Sequence, residues 1–75
     1  EKYNSGDRVK LDDVVVVDAY GTDITRGELL PDDTRVINDG YGTIVGPSGE
    51  PLEHYEVNHD TEGRLSIHPT NIRPA

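Results

Sequence analysis

The sequence contains no cysteine, tryptophan, phenylalanine or methionine among its 75 residues. Without cysteine the chain can form no disulfide, which excludes a disulfide-stapled secreted scaffold and fits a reducing compartment. Without tryptophan and phenylalanine, the core must be built from aliphatic side chains, with the four tyrosines as the only large aromatic rings available to it. We therefore expect a cytoplasmic protein, or a virion component if the source is a phage.

Long apolar runs are also missing. The longest, at residues 14–17, is four valines, which suits a strand and is far shorter than the roughly 20 residues of a membrane-spanning helix. Leucine, isoleucine and valine still supply 18 of the 75 residues, above the level of roughly one fifth below which disorder is expected. The chain begins with Glu1 rather than methionine, so we expect an excised domain or a processed product.

Basic residues are scarce, with seven lysines and arginines against 15 aspartates and glutamates and a net charge of −8. The excess is concentrated in residues 12–39, where eight acidic residues accompany only Arg26 and Arg35. Such a surface repels phosphate backbones and anionic membranes, so direct binding to nucleic acid or to a membrane is disfavoured. A basic protein surface would be attracted to it, although solubility alone is the alternative explanation. The candidate partner-binding residues are Asp12, Asp13, Asp18, Asp23, Glu28, Asp32 and Asp33.

Turn-forming residues break the chain about every ten residues, with short β-branched runs between them, which is typical of a barrel or sandwich. The run Asn38-Asp39-Gly40 is a strong turn signal because these residue types tolerate positive φ. The pattern predicts a single all-β domain over residues 1–75. Its predicted elements are a first strand at 6–11, a long acidic loop at 12–33 with a strand near 14–17, a hairpin at 34–46, a second hairpin at 53–68, and a 3₁₀ turn with a closing strand at 69–75.

All three histidines lie in the segment HYEVNHDTEGRLSIHP, residues 54–69, which reads as a hairpin with Gly63 in the left-handed position of a three-residue loop. We expect Val57 to lie opposite Ile67. Because opposite residues share a face of the sheet, an apolar face and a solvated face separate. The apolar face would hold Tyr55, Val57, Leu65 and Ile67 with His59 at its rim, and the solvated face Glu56, Asn58, Asp60, Arg64, Ser66 and His68.

His54, Glu56 and His68 share the solvated face in this scheme and are the candidate metal ligands. The sequence has no close ligand pair such as CxxC or HExxH, and a metal site needs a further donor. His59 and His68 are also conceivable catalytic bases, but neither has a visible nucleophile as partner. We therefore assign no catalytic residue, no cofactor and no metal.

Several short motifs resemble those of SH3-like barrels. They are GDRV at residues 6–9, GTIVG at 42–46, YEV at 55–57, GRLSIHP at 63–69 and NIRPA at 71–75. The resemblance implies a small barrel of five to seven short antiparallel strands, an enlarged first loop and a 3₁₀ turn before the last strand. The acidic composition and the HPTNIRP ending are similar to those of small phage and actinobacterial proteins.

The order GDRV, IVG, YEV and LSIHP is also similar to that of the plasmid-encoded type II dihydrofolate reductases, which assemble as tetramers around one central pore. Their pore strand carries a hydrophobic-Gln-Ile-Tyr motif, of which only Ile67 is matched here, since Ser66 and His68 replace the other two residues. Leu11 occupies the position of the family's lysine. The resemblance implies a shared barrel without the residues that bind folate and nicotinamide.

The sequence thus favours a non-catalytic protein–protein interaction or assembly module, a phage or bacterial accessory protein that acts through an acidic surface or a barrel edge. Its partner would be a protein with a basic surface or a further copy of the chain. One alternative is an acidic nucleic-acid mimic that inhibits its target. Another is an oligomeric enzyme of the type II dihydrofolate reductase kind, with Ile67 and His68 lining a shared pore.

Overall fold

The computed structural model describes residues 3–25, 34–37, 40–48 and 53–75. This part of the chain is all-β, with seven short strands and one 3₁₀ helix directly before the last strand, as predicted. The strands are β1 Arg8–Leu11, β2 Val15–Val17, β3 Arg35–Ile37, β4 Tyr41–Pro47, β5 Tyr55–His59, β6 Gly63–Ile67 and β7 Ile72–Pro74, and the 3₁₀ helix is Pro69–Asn71.

The strands form two antiparallel sheets, a five-stranded sheet in the order β6-β5-β4-β1-β7 and a two-stranded ribbon of β2 and β3. Among the described residues these sheets do not close into a barrel. The predicted strands near 6–11 and 14–17 are present as β1 and β2. The order of strands places β4 at the centre of the larger sheet and β1 between β4 and the edge strand β7.

The predicted hairpin at 34–46 is wrong in its pairing. β3 pairs with β2, with Val15 opposite Ile37, while β4 pairs with β1 and β5. A turn signal fixes a change of chain direction, whereas the partner of a strand is chosen by burial. Val15 and Ile37 both enter the core from the ribbon. Of the turn itself, Asn38 and Asp39 lie outside the described residues.

The core is aliphatic. Among the described residues its buried side chains are Val9, Leu11, Val15, Val17, Ile37, Ile44, Val57, Leu65, Ile67 and Ile72. Tyr3 and Tyr55 pack against it in an edge-to-face pair with ring centroids 5.5 Å apart. Tyr20 and Tyr41 lie at the surface instead.

The hairpin of β5 and β6 follows the prediction in its inward face and departs from it in register. Gly63 has φ +82° as expected, but Val57 lies opposite Leu65 rather than Ile67. A slip of two residues preserves which side chains face inward. The turn is fixed by His59, whose Nδ1 accepts the N–H groups of Thr61 (3.2 Å) and Glu62 (3.1 Å).

Candidate functional site

Asp23 belongs to the acidic segment that was predicted to face a partner, but it is buried, with 7% of its surface exposed. Its Oδ1 accepts the N–H of Thr25 at 2.9 Å and the hydroxyl of Thr25 at 2.6 Å. Its Oδ2 accepts the side-chain amide of Asn71 at 2.7 Å and the N–H of His68 at 3.1 Å. The prediction of a surface role for Asp23 is therefore wrong, because internal donors occupy its carboxylate.

The chain around Asp23 pairs with Ser66 at the outer edge of β6. The N–H of Ser66 donates to the Gly21 carbonyl at 2.8 Å, and the N–H of Asp23 donates to the Ser66 carbonyl at 2.7 Å. Ser66 is consequently buried, and its hydroxyl donates to Ser48 Oγ at 3.0 Å. Ser66 was predicted on the solvated face. That prediction is wrong because residues 21–23 pair with the Ser66 backbone and Ser48 contacts its hydroxyl.

The outer edge of β7 is blocked as well. The backbone N–H of Asp12 donates to the Asn71 carbonyl, and that of Ala75 donates to the Arg8 carbonyl. Because backbone groups alternate in direction along an antiparallel strand, those of Ile72 and Pro74 point away from β1. The N–H of Ile72 donates to the Pro69 carbonyl, and its carbonyl accepts the Tyr3 hydroxyl at 3.3 Å. Pro74 has no N–H to offer, which is a common protection of edge strands.

One edge of the β2–β3 ribbon is covered in the same way. Val16 donates its N–H to Thr25 Oγ1 at 2.9 Å, and its carbonyl accepts the N–H of Ile24 at 2.8 Å. Both backbone groups of Val16 therefore point away from β3. Val16 lies directly opposite Val36, so these two residues form a pair without hydrogen bonds between them.

The edge of β3 is different, because the backbone N–H and carbonyl of Val36 point away from β2. Within the described ranges no hydrogen bond is made to either group. The Val36 side chain is 54% exposed, and Val14, beside β2, is also 54% exposed. Val16, which lies opposite Val36 and two residues after Val14, is half-buried. An apolar strip of Val14, Val16 and Val36 thus borders an unpaired strand edge.

The other acidic candidates differ in whether their carboxylates are engaged by groups of the same chain. Asp12 makes an ion pair with Arg73 Nε at 2.7 Å, and Asp18 Oδ1 accepts the N–H groups of Tyr20 and Thr22 in a local turn. Asp13 is exposed and makes no ion pair with a described residue. Glu28, Asp32 and Asp33 lie outside the described residues.

The candidate metal ligands come together only in part. The rings of His54 and His68 meet edge to face with centroids 5.4 Å apart. Glu56 instead pairs with Arg64 at 3.5 Å, and the carboxylate near His68 Nε2 is that of Glu53, at 3.8 Å. No set of three or more His, Cys, Asp or Glu side chains in the described ranges is arranged to hold a metal ion.

Each histidine has a backbone contact that accounts for its position. His54 Nε2 donates to the Asp23 carbonyl at 3.3 Å, and His68 Nδ1 accepts the N–H of Thr70 at 3.1 Å as the N-cap of the 3₁₀ helix. His59 caps the β5–β6 turn. We conclude that His54 joins two segments that are distant in the sequence, whereas His59 and His68 each stabilise a local turn.

Of the two residues that the reductase resemblance would place at a pore, Ile67 is in the core and His68 is half-buried. Ile67 is fully buried, and Leu11, at the position of the family's lysine, is 1% exposed.

Arg8, two residues before Lys10 on the outer face of β1, forms a two-pronged contact with Asp60 at 2.9 Å for each oxygen. Its hydrogen bonds lower the pKa of the Asp60 carboxyl below the ordinary value.

The unpaired edge of β3 was not identified from the sequence. One signal could have pointed to it: the alternation of Val14 and Val16 with Val15 and Val17, which are buried. In the part of the chain that is described, no helix has the length and apolar character needed to cross a membrane. Comparisons of the chain with protein-family models, with curated proteins and with solved structures give no match.

Proposed function

We propose that this protein is a non-catalytic interaction module that adds an extended segment of a partner protein to the free edge of β3. The observation that carries the proposal is the contrast between strand edges. At the outer edges of β6, β7 and β2 the chain's own groups occupy the backbone of Ser66, Ile72 and Val16, whereas the N–H and carbonyl of Val36 have no partner among the described residues. Unpaired edge groups are the template on which β-strand addition works.

The finer description of the fold belongs to the same proposal. An SH3-like barrel accounts for the position of β1 between β4 and β7, for the β4–β5–β6 meander and for the 3₁₀ turn before β7. In such a barrel the ribbon of β2 and β3 would be the elaborated first loop.

The chemistry of the partner follows from charge and from the valines. Residues 12–25 contain four aspartates and no basic residue, and the chain as a whole carries −8. A partner strand that pairs with Val36 would place one side chain over Val16 and Val36 and would bring its neighbours close to this negative field. We infer an extended segment in which valine-like residues alternate with lysine or arginine.

The test uses the peptide acetyl-Lys-Val-Lys-Val-Lys-amide and ¹⁵N-labelled protein. We expect the Val36 amide to exchange rapidly with solvent in the free protein and to become protected when the peptide is added, with shift changes centred on β3. An acidic peptide, acetyl-Glu-Val-Glu-Val-Glu-amide, should not bind, because the field of the protein repels it.

Two matched variants locate the site. Val36→Lys puts a charge on the open edge, and Val45→Lys makes the same exchange on β4, where Val45 is 39% exposed. We expect Val36→Lys to weaken peptide binding about tenfold and Val45→Lys to change it less than about twofold. Equal effects of the two variants, or protection of Val36 before any peptide is added, would overturn the proposal.

A further inference from the structure

A groove of about 330 Å³ lies between the end of β1, residues 12–14 and β7, lined by Lys10, Leu11, Asp12, Asp13, Val14 and Arg73. Its volume is at the lower end of small-molecule sites, which begin at roughly 300 Å³. Four of its six lining side chains are charged, two of each sign, and Val14 supplies an exposed apolar wall.

The basic pair of the groove is unusual. Lys10 and Arg73 lie directly opposite each other on β1 and β7, so their side chains share one face, an arrangement that is unfavourable for like charges. Asp12 holds Arg73 only through Nε, at 2.7 Å, which leaves the terminal nitrogens of the guanidinium outside that bond. Lys10 makes no ion pair with any described residue. A carboxylate placed between them could accept from both.

The acidic side of the groove offers the complementary group. Asp13 is exposed and makes no ion pair within the described ranges. A ligand with only a negative charge would meet Asp12 and Asp13, and a ligand with only a positive charge would meet Lys10 and Arg73. The four charges sum to zero, so a ligand that carries both signs satisfies both ends of the groove.

We propose that this groove binds a small zwitterion of the α-amino-acid or short-peptide class. The ligand carboxylate lies between Lys10 and Arg73, its ammonium group lies at Asp13, and its side chain packs on Val14. This site is separate from the pairing edge at Val36, although Val14 borders both surfaces. For that reason the test leaves Val14 unchanged.

The test is an NMR titration of the ¹⁵N-labelled protein with four probes at equal ionic strength: alanine, dialanine, N-acetyl-dialanine and dialanine amide. We expect saturable shift changes at Lys10, Asp13 and Arg73 with the zwitterions. Blocking either charged end should weaken binding about two- to fivefold, because each end loses one partly exposed charge contact. Comparison of alanine with dialanine separates free amino acids from peptides as the preferred ligand.

Two variants assign the ends of the ligand. Lys10→Gln should discriminate less between dialanine and dialanine amide than the parent does, because the free carboxylate keeps only its contact with Arg73. Asp13→Asn should bind dialanine and N-acetyl-dialanine equally, because the gain from a free ammonium is lost. Wild-type binding that is the same for all probes, or no saturable shift with any of them, would overturn the proposal. The variant Val36→Lys should retain zwitterion binding, so failure at the β3 edge and failure in the groove are distinguishable.

Discussion

Asp23 is the residue on which the attachment of residues 21–25 to the rest of the fold depends. Its carboxylate accepts four hydrogen bonds, two from Thr25 and one each from His68 and Asn71. The last two donors are 45 and 48 residues away in sequence. An aspartate in an acidic, turn-rich segment reads as a solvated loop residue, because nothing nearby in the sequence shows donors that arrive from so far along the chain.

We expect Asp23→Ala to lower the free energy of unfolding by about 3 kcal/mol, because the buried donors of His68 and Asn71 lose their acceptor. Asp23→Asn should recover only part of this loss, since its amide NH₂ must face one of the two donor pairs. The measurement is urea unfolding at 25 °C. Asp13→Ala is the matched control and should stay within about 0.5 kcal/mol of the parent, as is usual at exposed positions. A similar loss in Asp13→Ala and Asp23→Ala would contradict the prediction.

β4 is the strand that ties the larger sheet together, since it pairs with both β1 and β5. Two of its glycines have opposite surroundings. A Cβ on Gly42 would lie 2.7 Å from Val57 Cγ1 and 2.9 Å from the Asn58 carbonyl oxygen, whereas a Cβ on Gly46 would meet nothing within 4 Å. Neither glycine has positive φ, so the difference is one of space alone.

This contrast gives a matched test within one strand. Gly42→Ala should destabilise the protein by about 1–3 kcal/mol, because the added methyl group must displace backbone of β5. Gly46→Ala should be neutral or stabilising by up to about 1 kcal/mol, because alanine restricts the unfolded chain without a clash. Thermal unfolding of the two variants beside the parent checks both signs. Comparable destabilisation by the two substitutions would show that the close approach of β4 and β5 is absent.

Alternation and local turn chemistry predicted the elements, and long-range packing decided their partners. The inward faces of β5 and β6 and the left-handed Gly63 follow from alternation and from glycine's freedom at positive φ. The register does not follow, because it is fixed by the ring of His59 over the turn. The pairing of β3 with β2 likewise depends on Val15 and Ile37 sharing one core.

The composition of the whole chain predicted an aliphatic core and a compact all-β protein, and both are confirmed. It could not predict where binding surfaces lie. Which edge is left open depends on how distant parts of the chain cover the others, and here Tyr3 bonds to Ile72 of β7 and residues 21–23 pair with Ser66 of β6. Likewise, the groove exists because β7 returns beside β1 and sets Arg73 against Lys10. The two proposed surfaces are therefore properties of the folded molecule rather than of any local motif.

The net charge of −8 affects the stability of the whole molecule through repulsion between its acidic groups. The described part of the molecule measures 32 × 23 × 19 Å, comparable to the Debye length of about 30 Å at 0.01 M salt and well above the length of about 10 Å at 0.1 M. At the lower ionic strength all the excess acidic groups repel one another. The described ion pairs, such as Arg8 with Asp60, have exposed partners, and exposed pairs contribute little that salt could remove.

We therefore expect the unfolding temperature to rise as NaCl is increased from about 0.01 M to 0.1 M, because screening relieves the repulsion more than it weakens exposed ion pairs. The double variant Asp13→Lys with Glu53→Lys, at exposed positions, changes the net charge from −8 to −4, since each exchange adds two, and should respond less to salt. A fall in unfolding temperature would mean that ion pairs outweigh repulsion.

Over the same salt range, binding of the lysine–valine peptide should weaken, because screening removes the attraction between unlike charges as effectively as the repulsion between like ones. Opposite responses of stability and binding to one salt series would tie both to the same excess of acidic residues.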